Sequence, residues 1–178
     1  MGLPITDIPC ALQELERNAL AGAAAGHSYV LEVGALLGGS TVLLAKNAHH
    51  VVSVDPHEGY PEHNPQPTYQ TFIDNLYAYG VRDKVTVITS RVQDVILTGA
   101  RRFGLIFIDA TGKYKDTQEI LEHVAPWLEP WGTLAVHDYG RPDWPGVRVA
   151  VDEWRRFNPW YSLVVINHLA ILRRSFLD

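Results

Sequence analysis

Two acidic side chains and a histidine follow two of the most apolar runs in this sequence. Asp109 ends the run 103–109, and His137 and Asp138 come directly after the run 133–136. An almost wholly apolar run that ends in an acid is typical of a central parallel strand buried on both faces. The carboxyl ends of parallel strands share one edge of the sheet, so we expect these side chains to lie close together. Carboxylates and imidazole can exchange protons with a bound reactant, which makes this edge a candidate site for chemistry.

A glycine-rich stretch supplies a second candidate site. Residues 28–41 begin as a β-branched apolar run, continue through Gly34 and Gly38, and enter a helical pattern at about Thr41, which predicts a strand, a tight turn and a helix start. Glycines allow close approach of the backbone to a ligand, and the first turn of a helix favours a negative group. Asp55 ends the next apolar run, about 20 residues further on, where a carboxylate can receive ribose hydroxyls. A nucleotide-like ligand is therefore expected at this turn.

Hydrophobic periodicity predicts an α/β chain around these two sites. A capping box of Asp116 and Glu119 is expected to begin the helix that ends near Leu128, and 90–98 is interpreted as a short helix. Only two residues separate the last two strands, which predicts an antiparallel hairpin. The predicted strands are 28–33, 51–54, 85–89, 103–109, 133–136, 161–166 and 169–173, and the predicted helices are 7–25, 41–49, 69–79, 116–128 and 147–157, with loops at 56–67 and 139–146.

Composition limits the classes of partner. The chain has 178 residues and a net charge of -5, which fits one domain over 1–178 with an N-terminal helical segment over 1–27. No basic run indicates a nucleic-acid footprint, and no apolar run reaches the length of about 18 residues that a membrane helix needs. The single cysteine, Cys10, is typical of a reducing compartment. We therefore expect a cytoplasmic protein with a small-molecule partner, bound neither to nucleic acid nor to membrane; a homo-oligomer stays open.

The order of elements and their motifs resembles the class I S-adenosylmethionine-dependent methyltransferases over nearly the whole chain. Within that class it is most similar to the small O-methyltransferases related to catechol O-methyltransferase and to the macrocin group. The resemblance implies a Rossmann-like doubly wound sheet of seven strands in the order 3-2-1-4-5-7-6, mostly parallel with a C-terminal antiparallel hairpin. The motifs that carry it are Val30-Leu-Glu-Val-Gly34, Gly38-Gly-Ser40, Val54-Asp55, Phe107-Ile-Asp109, Leu128-Glu-Pro-Trp-Gly132 and Val136-His-Asp138.

The resemblance also implies roles for individual residues. Asp109 and Asp138 match two aspartates that hold a divalent metal in the catechol-type enzymes, and two carboxylates with water ligands suit Mg²⁺. Such a metal would lower the pKa of a hydroxylated small-molecule substrate. The residues implied to bind S-adenosylmethionine are Glu32, Gly34, Gly38 and Ser40 at its amino-acid end, Asp55 at the ribose, Val92 and Gln93 beside the adenine, and Asp109.

The chain departs from both family patterns near the reacting groups. Tyr139 stands where the catechol-type enzymes have Asn, and His137 stands where the macrocin group has an acid. Lys113 lies one position from where a catechol-type catalytic Lys would align, and the segment 109–114 lacks the acid and the His of the macrocin group. The acceptor of the hydroxyl proton is therefore left open among a metal-assisted route, His137, His57 and Lys113, with Asp109, His137 and Lys113 as the catalytic candidates.

Two rival functions belong to different classes. A nicotinamide-dependent oxidoreductase shares the glycine turn, but residues 34–39 do not form G-x-G-x-x-G. A protein that binds S-adenosylmethionine without catalysis fits the missing Asn and His. The residues expected in the substrate loops, each with loop packing as its alternative, are His57, Glu58, His63, Tyr139 and Trp144.

Overall fold

The structure, a computed structural model, describes residues 8–59, 66–97 and 102–174. Within them, the strands are β1 (Tyr29–Val33), β2 (His50–Val54), β3 (Val85–Ile88), β4 (Phe103–Ile108), β5 (Leu128–Val136), β6 (Tyr161–Ile166) and β7 (Leu169–Arg174). The helices are α1 (Glu14–Ala24), α2 (Gly39–Asn47), α3 (Tyr69–Ala78), α4 (Tyr114–Val124) and α5 (Pro145–Phe157), and short 3-10 turns lie at Arg82–Lys84, Val92–Asp94 and Ala125–Trp127.

The strands form one sheet whose order, β3-β2-β1-β4-β5-β7-β6, confirms the predicted topology. Strands β1 to β5 pair in parallel, while β7 runs antiparallel to both β5 and β6. β1 lies between β2 and β4, so the strand order reverses beside it. Ligands of open α/β sheets bind at the carboxyl edge at such a reversal. A ligand site is therefore expected among the residues that follow β1, β2, β4 and β5.

Two apolar layers cover the sheet. On one face, Val30 and Phe107 pack with α1, α2 and α3, and on the other face Leu31 and Ile106 pack with α4 and α5. β4 is buried at all six positions, as its continuous apolar run predicts. This rigid centre holds the ends of β1 and β4 side by side. None of the helices in the described ranges is long and apolar enough to cross a membrane.

Three predictions of local structure are wrong, and a fourth, the helix over 7–25, holds only from Glu14, where α1 begins, because the described residues before it are not helical. β5 starts at Leu128 rather than at Thr133 because the strand contains an irregularity: Leu128 pairs with Phe103, and pairing then resumes between Thr133 and Leu105. The turn expected at 130–132 is therefore part of a bulge within β5. A bulge lets a strand accommodate residues that have no partner on the neighbouring strand.

The other two corrections concern the start of α4 and the helix predicted over 90–98. The cap residue of α4 is Lys113, so Asp116 lies in the first turn instead of at a capping box. The segment expected as a helix over 90–98 is, where described, only the 3-10 turn Val92–Asp94. After this short turn, the chain lies on the face of the sheet that α4 covers, where Val92 and Val95 are buried.

Candidate functional site

The glycine turn after β1 packs against the end of β4. Gly34 has a φ of 90°, which favours glycine, and a Cβ added there would lie 2.2 Å from the backbone oxygen of Asp109. Gly38, also at φ 90°, precedes α2, and a Cβ there would lie 3.0 Å from the ring of Phe72. The turn 34–38 is therefore a tight backbone cradle that contacts the residue expected to carry chemistry.

Asp55 follows β2 and holds this turn in place. One carboxylate oxygen, Oδ2, accepts the backbone N–H groups of Ala35 at 2.7 Å and Leu36 at 2.9 Å, and Oδ1 accepts that of His57 at 2.6 Å. A carboxylate offers about four lone-pair positions, so Asp55 keeps acceptor capacity for a ribose hydroxyl. The sequence thus predicted a carboxylate at the carboxyl edge of the sheet. The structure adds that Asp55 holds the backbone of the glycine turn by hydrogen bonds.

Glu32 is a fully buried acid on β1. It accepts the hydroxyls of Ser40 at 2.6 Å and of Ser53 at 3.0 Å, and also that of Thr41. Burial raises the pKa of Glu32 to about 7, and the three hydroxyls act in the opposite direction. The Ser40 hydroxyl predicted to contact the cofactor carboxylate therefore points at Glu32, and Glu32 ties β1 to the first turn of α2.

Asp109, His137 and Asp138 come together at the ends of β4 and β5, as their positions predicted. His137 Nδ1 lies 3.2 Å from Asp109 Oδ1 and 3.5 Å from Asp138 Oδ1. One ligand atom from each residue lies within 4.8 Å of the other two. Asp138 has a φ of 62°, and its carboxylate also accepts a hydrogen bond from Arg141 at 3.2 Å. Two carboxylates and an imidazole nitrogen therefore converge beside the glycine turn.

Sequence reasoning missed the fourth member of this cluster, Glu16 on α1. Its side chain is buried, and Oε2 lies 3.5 Å from Nε2 of His137, on the opposite side of the ring from Asp109. The signal was available, because Glu16 stands four residues from both Leu12 and Leu20, which are buried. An acid inside an apolar helical stripe faces the protein interior and needs a partner there.

The electrostatics of the cluster centre on His137, which is 3% exposed. Burial alone would lower the pKa of His137, but the hydrogen bond and charge of Asp109 and the charges of Asp138 and Glu16 raise it to about 9. Burial also raises the pKa of Asp138, with His137 and Arg141 opposing that effect. At neutral pH and without a metal, His137 is a positively charged group among three carboxylates.

The other expected proton acceptors lie elsewhere. His57 follows β2, with β1 between it and Asp109; its Nδ1 lies 2.9 Å from Thr68 Oγ1 and its ring packs on Phe72 at 4.7 Å. Burial lowers the pKa of His57. Lys113 is exposed at the cap of α4. The compact cluster therefore contains His137 rather than either of these two residues.

The remaining predicted residues occupy the surrounding loops. Val92 is buried and Gln93 is exposed in the 3-10 turn after β3. Tyr139 donates its hydroxyl to Asp152 at 2.9 Å, which favours loop packing. Trp144 covers Gly112, where an added Cβ would lie 1.1 Å from the indole ring. Glu58 is exposed with an ion pair to Arg91 at 3.8 Å, and the prediction for His63 lies outside the described residues.

Comparison with known proteins gives the family of this site. A family described as a methyltransferase domain matches residues 31–139, a range that contains the last three residues of β1, the glycine turn, Asp55 and the Asp109–His137–Asp138 cluster. No curated protein sequence matches the chain significantly.

Three solved structures illustrate the range of similar folds. An O-methyltransferase from Bacillus cereus in complex with SAH (S-adenosylhomocysteine) is 20% identical with a TM-score of 0.70, over 94% of this chain and 84% of that one. The O-methyltransferase TomG from Streptomyces achromogenes in complex with SAM (S-adenosylmethionine) is 17% identical with a TM-score of 0.69, over 96% and 84%. An rRNA methylase from Streptococcus thermophilus is 18% identical with a TM-score of 0.68, over 94% and 99%. At these identities the likeness shows the fold alone.

Proposed function

The chain belongs to the methyltransferase-domain family and is an S-adenosylmethionine-dependent methyltransferase, and we propose that it transfers the methyl group to a hydroxyl oxygen of a small molecule. One observation carries the proposal: the glycine turn and the Asp109 cluster are in contact, because Gly34 packs on the Asp109 carbonyl. A cofactor seated on the turn would have its amino-acid end and methyl group beside the acidic edge. The acidic cluster is suited to a hydroxyl acceptor.

The proposed cofactor contacts follow from the site. The backbone of 34–38 and the start of α2 would cradle the amino-acid end, and the free lone pair of Asp55 would accept a ribose hydroxyl. Glu32 would stabilise this part of the site because it accepts the hydroxyl hydrogen bond of Ser40 at the start of α2. Val92 and Gln93 remain the proposed adenine residues. Methyl transfer from a sulfonium is an in-line displacement, so alignment of the acceptor oxygen supplies much of the catalysis, on the order of 7–11 kcal/mol in well-aligned cases.

The cluster fits a divalent metal by its donor chemistry. Asp109, Asp138 and Nδ1 of His137 offer two oxygens and one nitrogen within 4.8 Å. A ligating imidazole usually donates its other N–H to a carboxylate, a backbone carbonyl or water, and the Glu16 carboxylate lies 3.5 Å from Nε2. These three residues would hold the ion. When bound, it would lower the pKa of the acceptor hydroxyl and orient its oxygen. The nitrogen ligand widens the choice from the Mg²⁺ first expected to include Mn²⁺ and similar ions.

The high pKa of His137 bears on the proton acceptor. A charged imidazole cannot accept a proton, so in the metal-free state the acceptors in the cluster are the carboxylates of Asp109 and Asp138, with His137 holding the Asp109 carboxylate by a hydrogen bond. We therefore place His137 in the site as an orienting group or a ligand, and Asp109 as the catalytic residue. Lys113 at the cap of α4 stays a prediction, as do a cytoplasmic location and a homo-oligomer.

The test is methyl transfer from labelled S-adenosylmethionine to a panel of catechols, simple phenols and aliphatic alcohols, each with and without chelator. We expect a methylated hydroxyl product and a rate reduced at least tenfold in Asp109→Asn. Asp83→Asn is the matched control, because Asp83 is exposed before β3 at the opposite edge of the sheet. Methylation of RNA, or of nitrogen or carbon only, would overturn the O-methylation proposal. Full activity in chelator would overturn the proposed role of a metal.

A further inference from the structure

Glu16 joins three separate parts of the chain. Its Oε2 accepts the backbone N–H of Gln13 at 2.7 Å, and its Oε1 accepts that of His168, in the turn between β6 and β7, at 2.8 Å. The backbone oxygen of His168 in turn accepts the N–H of Tyr139 at 2.9 Å. Glu16 therefore connects α1 to the loop that begins with Asp138.

The same carboxylate determines which ring nitrogen of His137 faces the reacting groups. Glu16 accepts hydrogen bonds on both oxygens, and its Oε2 lies 3.5 Å from Nε2 of His137. The backbone N–H groups of Gln13 and His168 fix this carboxylate in place, with its acceptor oxygens facing Nε2, so Nε2 is the ring nitrogen placed to donate toward α1. The other nitrogen, Nδ1, then points toward Asp109 and Asp138.

We propose that Glu16 is a positioning residue that fixes the ring of His137 with Nε2–H toward α1 and Nδ1 toward Asp109 and Asp138. Burying the carboxylate of Glu16, which is 0% exposed, costs free energy unless its charge is compensated. Its hydrogen bond to the Gln13 N–H at the start of α1 could form at the surface and does not explain the burial. The role of Glu16 in methyl transfer rests on the proposed function. The orientation of His137 can nevertheless be measured without any methyl transfer.

The first measurement uses the wild-type protein with chelator. A long-range ¹H–¹⁵N spectrum of the His137 ring, assigned by its loss in His137→Asn and recorded above pH 9, where the ring is neutral, is expected to show its single proton on Nε2. A neutral ring with its proton only on Nδ1 would overturn the proposal. This experiment needs no variant of Glu16, so it decides the question even where such a variant fails to fold.

The second measurement uses Glu16→Gln, which keeps the size of the side chain and removes the charge. Glu14→Gln is the matched control, since Glu14 is exposed on the same helix. Mn²⁺ binding, followed by the electron paramagnetic resonance of the free ion without cofactor or substrate, is expected to weaken by roughly 10- to 100-fold in Glu16→Gln and to stay unchanged in Glu14→Gln. The Nε2 proton of His137 should also shift or exchange faster only in Glu16→Gln.

A double-variant comparison separates positioning from general structural support. In the His137→Asn background, Glu16→Gln should change Mn²⁺ affinity by less than about twofold, because the effect of Glu16 passes through His137. An equal loss in both backgrounds would show a structural role and overturn the proposal. If wild-type protein binds no Mn²⁺, the metal part of the proposed function fails, and the ring spectra alone decide the role of Glu16.

Discussion

Gly34 lies directly against the backbone carbonyl of Asp109, so the glycine turn 34–38 and the end of β4 form one packed unit. The N–H of Gly34 donates to Val54 and the N–H of Asp109 donates to Val33, which locks the ends of β1, β2 and β4 together. A side chain at position 34 would have to displace the end of β4, because its Cβ would lie 2.2 Å from the Asp109 oxygen. Glycine is required here for conformation and for close approach.

Gly34→Ala should therefore destabilise the fold and disturb the site together. The positive φ alone costs on the order of 1–3 kcal/mol, and the collision with Asp109 adds to it. We expect a lower urea midpoint and S-adenosylmethionine affinity at least tenfold weaker by calorimetry. Gly22→Ala is the control: Gly22 lies inside α1 with no atom within 4 Å of an added Cβ, so the substitution should stabilise the protein by about 0.5–1 kcal/mol. Unchanged affinity in Gly34→Ala would contradict the role of the turn.

Asp55→Ala should reveal two separate losses. The carboxylate holds the N–H groups of Leu36 and His57, which have φ values of 47° and 55°, an unfavourable conformation for residues other than glycine. Without it, we expect about 2–4 kcal/mol of lost stability in urea unfolding and weaker S-adenosylmethionine binding in calorimetry. Asp74→Ala, an exposed substitution on α3, should change neither by much. Normal cofactor affinity in a folded Asp55→Ala protein would remove the ribose assignment.

The sheet and the meeting of Asp109 with Asp138 could be predicted because both follow from short-range patterns. Apolar runs locate strands, and residues that end neighbouring parallel strands must lie at one edge. The bulge at 129–132 could not be predicted, because Pro130 and Gly132 are ordinary turn residues, and only the pairing of Leu128 and Thr133 with β4 on either side of them keeps the segment within a strand. Local propensity was overridden by tertiary pairing there.

Glu16 illustrates a different limit of sequence reasoning. Its partners, His137 and His168, lie far away along the chain, and no local pattern specifies contacts at that separation. Its position in the stripe between Leu12 and Leu20 shows only that it faces inward. Likewise, the raised pKa of His137 depends on three carboxylates from separate elements, so the sequence left His137 as one of several candidate proton acceptors and could not show the charges around it.

The stability of the metal-free protein should fall as the pH rises from neutral to alkaline values. The pKa of His137 is about 9 in the fold against 6.5 for an unperturbed histidine, so the folded state holds this proton more tightly. The stabilisation is complete below about pH 6.5 and is lost as the pH rises through about 9, amounting to on the order of 3 kcal/mol. Urea unfolding between pH 6.5 and 9.5 in chelator measures it.

His137→Asn should flatten that pH dependence because it removes the titrating group. Glu32, whose pKa is raised from 4.5 to about 7, lowers stability mainly as the pH rises between those two values. Burial also raises the pKa of Cys10, so the difference in slope between wild type and His137→Asn over pH 7.5 to 9.5, rather than the slope itself, reports His137. His49→Asn, a substitution at the exposed residue before β2, should keep the wild-type slope. An equal slope in wild type and His137→Asn would contradict the charged state of His137.

Trp144 and Gly112 join the loops that follow β4 and β5, where the acceptor is expected to bind. Gly112→Ala would put a Cβ 1.1 Å from the indole of Trp144, so one loop must move. We expect a higher KM for the methyl acceptor with little change in S-adenosylmethionine affinity, since the glycine turn proposed to hold the cofactor follows β1, on the side of β4 away from β5. Trp144→Ala removes the obstacle, so the two substitutions together should cost less than the sum of their separate effects. Strict additivity in steady-state kinetics would show that the two loops act independently on the acceptor.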